Sequence, residues 1–311
     1  MTERTGVQVS AVEFRKLFDD VSNWGRWGPD DERGALNYLT PERVAAAARL
    51  ARSGRTVSLS RPLKTELSSA NPEPADHHMT LLGAKDHPDG VAFAKDYIGL
   101  DYHNDSHSHL DALCHVSFDG SLYNGRPADA VSDDGASVET VELLKDGLVG
   151  RGVLLDIPRA RNVRWLEPGD SVLPADLEEA ERQQGVQVGE GDILLVRTGH
   201  AARLEELGPW DVAASKAGLH PACARFLAER HVSALGCDSN SDTAPAVTEG
   251  VGFPIHVLAL TAMGVHLLDY LRLGELADAS HEAGRWEFLF IGAPLRITGG
   301  TGSPLNPIAV F

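Results

Sequence analysis

The sequence predicts a mixed α/β fold, arranged as one compact, β-rich domain with flanking helices. Three observations predict it: strand-like and helix-like segments alternate along the chain, composition does not change between its halves, and no internal repeat or linker is visible. With 311 residues, 42% of them hydrophobic and 23% charged, the chain has ordinary globular composition and can bury a substantial core. A division into two domains near residue 150 is the alternative arrangement.

Helices are predicted where helix-forming residues follow a start signal. Thr40 can cap the first helix and Pro41 suits its first position, so that the helix runs over residues 42–51. Two further helices are predicted, a strongly charged one over residues 174–184 and another over residues 221–230.

Strands are predicted over short aliphatic and β-branched runs. These runs are residues 56–63, 152–157, 192–197 and 232–236, followed by a tail of β-structure with tight loops over residues 286–311. Residues 64–90 are dense in Pro, Asp, His and Ser, which predicts a long loop or an irregular flap, with His77, His78 and His87 at the solvated surface. Residues 254–271 are apolar, and their helical and extended parts cannot be separated by pattern.

Charge and cysteine usage exclude several classes of function. The formal net charge of −17 repels phosphate backbones and anionic lipid, so we expect no nucleic-acid and no membrane partner. The three cysteines form no CxxC pair, which argues against both a disulfide framework and a cysteine zinc site. No signal-peptide pattern opens the sequence. We therefore expect a cytoplasmic protein.

Imidazoles and carboxylates are concentrated in one short segment, at odd-numbered positions only. They are His103, Asp105, His107, His109, Asp111 and His115. Because residues two apart in a strand face the same side, this pattern predicts one surface of metal-binding groups, with His109 and Asp111 as its tightest pair. Nitrogen and oxygen ligands without thiolate suit zinc, manganese or iron(II). A solvated polar strand edge is the alternative.

The same segment resembles a known family. Ser-His109-Leu-Asp111-Ala-Leu-Cys-His115 is similar to the Thr-His-x-Asp-x-Pro-x-His core of the cyclase-type metal hydrolases, which include bacterial kynurenine formamidase and isatin hydrolase. Residues 27–41, 191–199 and 299–307 also resemble members of this family, in the same order. The resemblance implies a swivelling β/α/β fold, as in kynurenine formamidase-like proteins.

The resemblance also implies site residues. His109 and Asp111 match two metal ligands, and His115 matches an uncoordinated acid–base. The family's first ligand falls on Asp105, a carboxylate in place of imidazole, while His103 or His107 could take that place if the strand is bulged. Leu113 replaces the family's proline.

Further along the chain, His256 matches a histidine that ligates a metal or polarises substrate. Asp269 lies near the position of a glutamate that completes a two-metal site, although a hydrogen bond at a helix end would explain it as well. The implied cofactor is a divalent metal ion, Mn²⁺ or Zn²⁺. The implied assembly is a homodimer or homotetramer, in which residues 1–40 could cross to the neighbouring subunit.

Together these features predict a metal-dependent hydrolase that opens a C–N bond of a small aryl amide, lactam or formamide. The substrate is expected to be a small aromatic molecule, and five aromatic residues are candidates for stacking on its ring: Trp24, Trp27, Phe93, Tyr97 and Trp286. Lactone opening or cyclisation and dehydration at the same site, or metal binding without catalysis, are the alternatives. Cys114 could suggest a nucleophile beside His115, but neighbours in a strand face opposite ways, so core packing explains it better.

Overall fold

A mixed sheet forms the centre of the computed structural model, which describes residues 7–81 and 90–311. The strands of the described residues are, in chain order, β1 (Thr56–Ser58), β2 (Asp76–Leu81), β3 (Lys95–Gly99), β4 (His109–Asp111), β5 (Val131–Ser132), β6 (Gly135–Ala136), β7 (Leu148–Asp156), β8 (Ser171–Val172), β9 (Ile193–Arg197), β10 (Gly218–Leu219), β11 (Ala234–Cys237), β12 (His266–Asp269), β13 (Glu287–Gly292), β14 (Gly302–Pro304) and β15 (Ile308–Val310). Nine of them form the main sheet in the order β1-β15-β13-β7-β9-β11-β12-β4-β14.

Helices cover both faces of this sheet. The α-helices of the described residues are α1 (Ala11–Val21), α2 (Pro41–Ala48), α3 (Ile157–Ala160), α4 (Pro174–Gln184), α5 (His200–Leu207), α6 (Cys223–Glu229), α7 (Pro254–His256) and α8 (Gly274–Ala283). A π-helix, Val257–Met263, continues α7. Short 3₁₀ turns lie at Gly34–Tyr38, Leu113–His115, Tyr123–Gly125, Ala128–Ala130 and Val141–Leu144. The mixed α/β prediction is confirmed.

Two hydrophobic cores lie on opposite faces of the sheet, because side chains alternate along each central strand. In β7, Val153 and Leu155 enter one core while Leu154 enters the other. The strands β7, β9, β11 and β12 pair in parallel, and both of their faces are covered. This is why they are apolar throughout, as in other parallel sheets.

The predicted helices and strands are present with shifted ends. Thr40 caps α2 and Pro41 begins it, as its sequence predicts. Helix α1 was not predicted, although it carries two clear signals. Ser10 and Glu13 form a capping box, and apolar residues at helical spacing, Phe14, Leu17, Phe18 and Val21, are its buried face.

The prediction of a long loop or an irregular flap over residues 64–90 is wrong in part, because β2 lies within this range. β2 and β3 pair antiparallel as a hairpin with largely exposed side chains. His77 and His78 are exposed on β2, as expected of surface residues, and His87 lies outside the described residues. A half-buried strand is recognised by alternating apolar and polar residues, and a strand with both faces in water lacks this alternation. The sequence pattern therefore did not predict β2.

The described part of the N-terminal segment packs on its own chain. The Val9 amide donates to the Val247 carbonyl, and the Asn23 amide donates to Ala262. Crossing to a neighbouring subunit stays a prediction. Among the described residues, no helix is long and apolar enough to span a bilayer.

Candidate metal centre

The register between β4 and β12 gathers three ionisable side chains on one face. His109 lies opposite Asp269, and Asp111 lies two residues along from His109. Because opposite residues of an antiparallel pair share a face, and residues two apart do so as well, all three side chains emerge on the same side. They lie where the parallel strand β12 ends, and there the loop after β11 and the helix α7 also reach the site.

His103, His109 and Asp111 form the first candidate ligand triad, with one ligand atom of each within 4.8 Å of the others. His103 Nδ1 lies 2.8 Å from Asp111 Oδ1, and His109 Nε2 lies 3.5 Å from the same oxygen. The Nδ1–H of His109 donates to the His107 carbonyl at 2.9 Å, which leaves Nε2 as the free ligand atom. A Cβ at Gly302 would come within 2.7 Å of the His103 ring, so glycine allows this approach.

Asp111, His256 and Asp269 form the second candidate triad, so the two triads share Asp111. His256 Nε2 lies 3.6 Å from Asp111 Oδ2 and 3.3 Å from Asp269 Oδ2. Asp242 accepts hydrogen bonds from His256 Nδ1 at 2.6 Å and from the backbone amide of Ile255 at 2.6 Å. A carboxylate of this kind behind a histidine fixes its tautomer and orients its ring toward a metal.

The unsatisfied atoms of this cluster fit a cation. Both Asp111 oxygens, Asp269 Oδ2 and His103 Nδ1 are buried and have no hydrogen-bond partner among the described residues. The short separation of His103 Nδ1 from Asp111 is therefore not a well-aligned hydrogen bond, and it resembles the side-by-side placement of two ligands around one ion. Buried carboxylate oxygens are normally paired, and His and Asp donors suit Zn²⁺ and Mn²⁺.

Electrostatics keep the central carboxylate ionised. Burial by itself raises the pKa of Asp111, but the imidazoles of His109 and His115 outweigh this, and the pKa lies well below its ordinary value. Burial likewise lowers the pKa of His256, yet the hydrogen bond to Asp242 and the adjacent carboxylate of Asp269 raise it well above the usual range. The second triad thus favours a positive charge at His256 Nε2, carried either by a proton or by a metal ion.

His115 lies beside the first triad and is not part of either triad. Its ring stacks on His103 with centroids 3.8 Å apart and an interplanar angle of 6°. Burial lowers the pKa of His115 to about 4 despite the opposing pull of Asp111, so the imidazole is neutral at neutral pH. A neutral imidazole at this place can accept a proton.

These groups line one wall of a cavity of about 800 Å³. The polar wall contains His103, His109, His115, Asp242 and His256. The remaining walls are largely apolar and include the rings of Phe118 and Phe253 with several valines and alanines. A volume of this size suits a small organic ligand, whose polar group would face the histidines.

Two residues of the sequence motif, Asp105 and His107, belong to neither triad. The first position of the triad is taken by His103, where the family pattern favoured Asp105. Asp105 instead accepts from the Tyr270 hydroxyl in a close contact and lies 3.4 Å from Lys216 Nζ. His107 bonds the Glu73 carbonyl through Nε2. The prediction of one continuous strand is wrong, because only His109–Asp111 is extended and the preceding residues bend.

None of the five aromatic candidates is among the described residues that line the cavity. Trp24 donates from Nε1 to the Thr261 carbonyl, and Trp27 packs edge-on against Tyr38. Trp286 is buried in the second hydrophobic core under Arg159. Phe93 and Tyr97 are about half exposed, on or beside the β2–β3 hairpin. Most aromatic side chains of a protein lie in its core or partly exposed at its surface, so residue type alone favours these positions over a ligand site.

The sequence reasoning missed Phe253, Phe118, Asp242 and Lys216 as cavity residues. Phe253 stands three residues before His256, and Phe118 stands three residues after His115, so these short spacings were the available signals. Asp242 and Lys216 are brought to the cavity by long-range packing, for which the sequence offers no local pattern.

Fold and site together define an α/β protein with a buried histidine–carboxylate centre at the wall of a ligand-sized cavity. The chain belongs to the cyclase family: the family described as "Putative cyclase" matches residues 57–242. The resemblance seen in the sequence is thereby confirmed.

Solved structures share this fold. A crystal structure described as a novel cyclase is 34% identical, with a TM-score of 0.83, and the match covers 94% of this chain and 99% of that one. Isatin hydrolase A from Labrenzia aggregata, bound to benzyl benzoate, is 22% identical with a TM-score of 0.58, covering 88% and 98%. A predicted metal-dependent hydrolase from Bacillus stearothermophilus is 17% identical with a TM-score of 0.52, covering 82% and 97%. No curated protein matches the chain.

Proposed function

We propose that this protein is a metal-dependent hydrolase that opens a C–N bond of a small aryl amide, lactam or formamide. The observation that carries the proposal is Asp111, a buried carboxylate shared by two triads, both of whose oxygens lack a hydrogen-bond donor in the described part of the chain. The structural relatives named as an isatin hydrolase and a metal-dependent hydrolase support the choice of reaction class.

The proposed ligands are the members of the two triads, His103, His109, Asp111, His256 and Asp269, which would hold one or two divalent ions, Mn²⁺ or Zn²⁺. A divalent cation held by these residues supplies Lewis acidity, which polarises a carbonyl oxygen and lowers the pKa of water. Asp242 keeps the proton of His256 on Nδ1, and the His107 carbonyl does the same for His109, so both present Nε2 to the centre.

His115 is the proposed acid–base. Because its imidazole is neutral at neutral pH, it can take a proton from water as the nucleophile attacks the carbonyl carbon. The imidazolium that results can return this proton to the leaving nitrogen, and the nearby ionised Asp111 stabilises the charged ring in the interval. Phe118 and Phe253 offer apolar surface to an aromatic ring while water is displaced from the cavity.

The test combines metal analysis with a substrate panel. The purified protein is assayed for bound metals, then incubated with matched aryl amides, lactams, formamides and lactones, with and without chelator, and the products are identified. We expect bound Mn²⁺ or Zn²⁺ and chelator-sensitive release of an amine and a carboxylate. The variant His109→Ala should lose metal and activity together. The control His281→Ala, on the exposed side of α8, should lose neither.

Other outcomes identify the rivals. Turnover of lactones alone, or net loss of water from an added substrate, would replace C–N hydrolysis by the alternative reactions at this centre. Stoichiometric metal without turnover of any compound would favour a binding protein. A metal-free protein that is fully active would refute the centre.

A further inference from the structure

Lys216 is a buried cation in the wall of the candidate active-site cavity. Its side chain is 6% exposed, and it lines the same cavity as His109, His115 and His256. Two backbone hydrogen bonds with Ala244, at 2.9 and 3.0 Å, fix its position on the wall. Among the described residues that line this cavity, Lys216 is the only lysine or arginine.

The ammonium of Lys216 is weakly paired. Its Nζ lies 3.4 Å from Asp105 Oδ1 and 3.5 Å from the Tyr270 hydroxyl. Charge-assisted N–H···O bonds are normally about 2.7–2.9 Å long, so both contacts are long. The Asp105 oxygen is also shared, because it accepts the Tyr270 hydroxyl in a close contact. A lysine this buried normally has close anionic partners, and Lys216 has room for another one in the cavity.

Asp105 and Tyr270 hold this ammonium near the metal centre. The Tyr270 ring packs 6.4 Å from the His109 ring, and Tyr270 directly follows the candidate ligand Asp269. A ligand whose reacting group meets the triads can therefore place a second group at Lys216 without leaving the cavity, whose volume is about 800 Å³.

We propose that Lys216 binds an ionised carboxylate of the substrate, separate from the carbonyl group that reacts at the metal centre. The preferred substrate class is thus an aryl amide or lactam that carries a carboxylate, an assignment that rests on the proposed function. A monoanion fits better than a phosphate dianion, because one ammonium faces it and the acidic side chains of Glu73, Asp105 and Asp242 also line the cavity.

Binding of a matched ligand pair tests this assignment without turnover. Two aryl hydroxamates, one with a ring carboxylate and one with a ring carboxamide, both offer the same metal-binding group. Affinities are measured by calorimetry on the metal-loaded protein, on Lys216→Met and on Lys145→Met, a control at an exposed lysine. We expect the wild-type protein and the control to prefer the carboxylate roughly tenfold or more, as a hydrogen bond between charged groups allows. Lys216→Met should bind both ligands alike, with carboxamide affinity within about twofold of the wild type.

Two further variants guard against a folding defect. Lys216→Arg keeps the charge and should retain part of the preference, while the charge-balanced double variant Lys216→Met/Asp105→Asn should lack it. Equal affinity of the wild type for the two hydroxamates, no binding of the carboxylate ligand, or a preference that survives Lys216→Met would overturn the proposal. Failure of the proposed function has a different signature: no chelator-sensitive hydrolysis of any amide, whatever the outcome of the binding comparison.

Discussion

Replacing Asp242 by asparagine should weaken metal binding although Asp242 belongs to neither triad. A carboxylate cannot donate, so the 2.6 Å contact requires His256 to carry a proton on Nδ1, which leaves Nε2 as the nitrogen that can give up its proton and bind a metal ion. The same carboxylate accepts from the backbone amides of Ile255 at 2.6 Å and of His256 at 3.2 Å. Asp242→Asn has one acceptor oxygen for these donors, so in either orientation its amide nitrogen faces an N–H group and the arrangement that holds the His256 ring is weakened. With that nitrogen toward Nδ1, the opposite tautomer is favoured, with the proton on the nitrogen that points at Asp111 and Asp269.

The expected magnitude is that of removing a partner which orients a metal ligand. Such changes weaken metal affinity about 10- to 100-fold, which corresponds to roughly 1.4–2.7 kcal/mol. Competition titration with a metal-sensitive dye measures the affinity, and elemental analysis counts the equivalents retained after dialysis. If two ions are bound, the one held by His256 should be lost first.

Asp238→Asn is the matched control. Asp238 lies on the same loop, is equally buried, and accepts from the amides of Thr198, Gly199 and His200. It touches neither triad, so its asparagine variant should lower the free energy of unfolding without changing metal affinity. Wild-type metal affinity in Asp242→Asn, or an equal loss in both variants, would refute the reasoning.

Three further outcomes are expected. His115→Ala should retain its metal while kcat/KM falls about 10²- to 10⁴-fold, and loss of metal by elemental analysis would instead make His115 a ligand. Burial lowers the pKa of His266 to about 3. Below pH 6.5 the unfolded chain therefore binds a proton at this residue and the folded chain does not, so the free energy of unfolding decreases as the pH falls. Between pH 8 and pH 5 the wild type should lose about 2 kcal/mol more than His266→Leu in urea unfolding, and parallel losses would contradict this. Burial raises the pKa of the Cys114 thiol to about 12, so Cys114→Ala should keep its activity and iodoacetamide should not inhibit the native protein; inhibition would revive a thiolate mechanism.

His266 shows which features of a buried residue the surrounding sequence predicts and which it does not. An apolar run around a histidine predicts a core position, and the residue is fully buried. Neither ring nitrogen has a hydrogen-bond partner among the described residues, which the apolar run does not predict. Partners of a buried side chain come from other segments, and the flanking sequence gives no account of them.

The central strands were predictable because burial on both faces of a parallel sheet leaves a nearly continuous apolar run. Residues 192–197 were predicted as a strand on this ground, and β9 covers Ile193–Arg197. The edges of the fold lack such a signature. The β2–β3 hairpin has little buried surface, so its composition resembles that of a loop.

The residues of the candidate metal centre also divide into those that the sequence pattern predicts and those that it does not. His109 and Asp111 are two residues apart within one strand, where period two is a reliable guide, and they do share a face. The period fails before residue 109 because the chain bends, so the choice among His103, Asp105 and His107 depended on how that bend packs. Gly302 in the neighbouring strand has no Cβ, which leaves space for the His103 ring. Asp105 instead contacts Tyr270 and Lys216, which lie more than 100 residues away in sequence. The third candidate ligand is therefore set by strand pairing and long-range packing, and the motif alone predicts only the first two candidates.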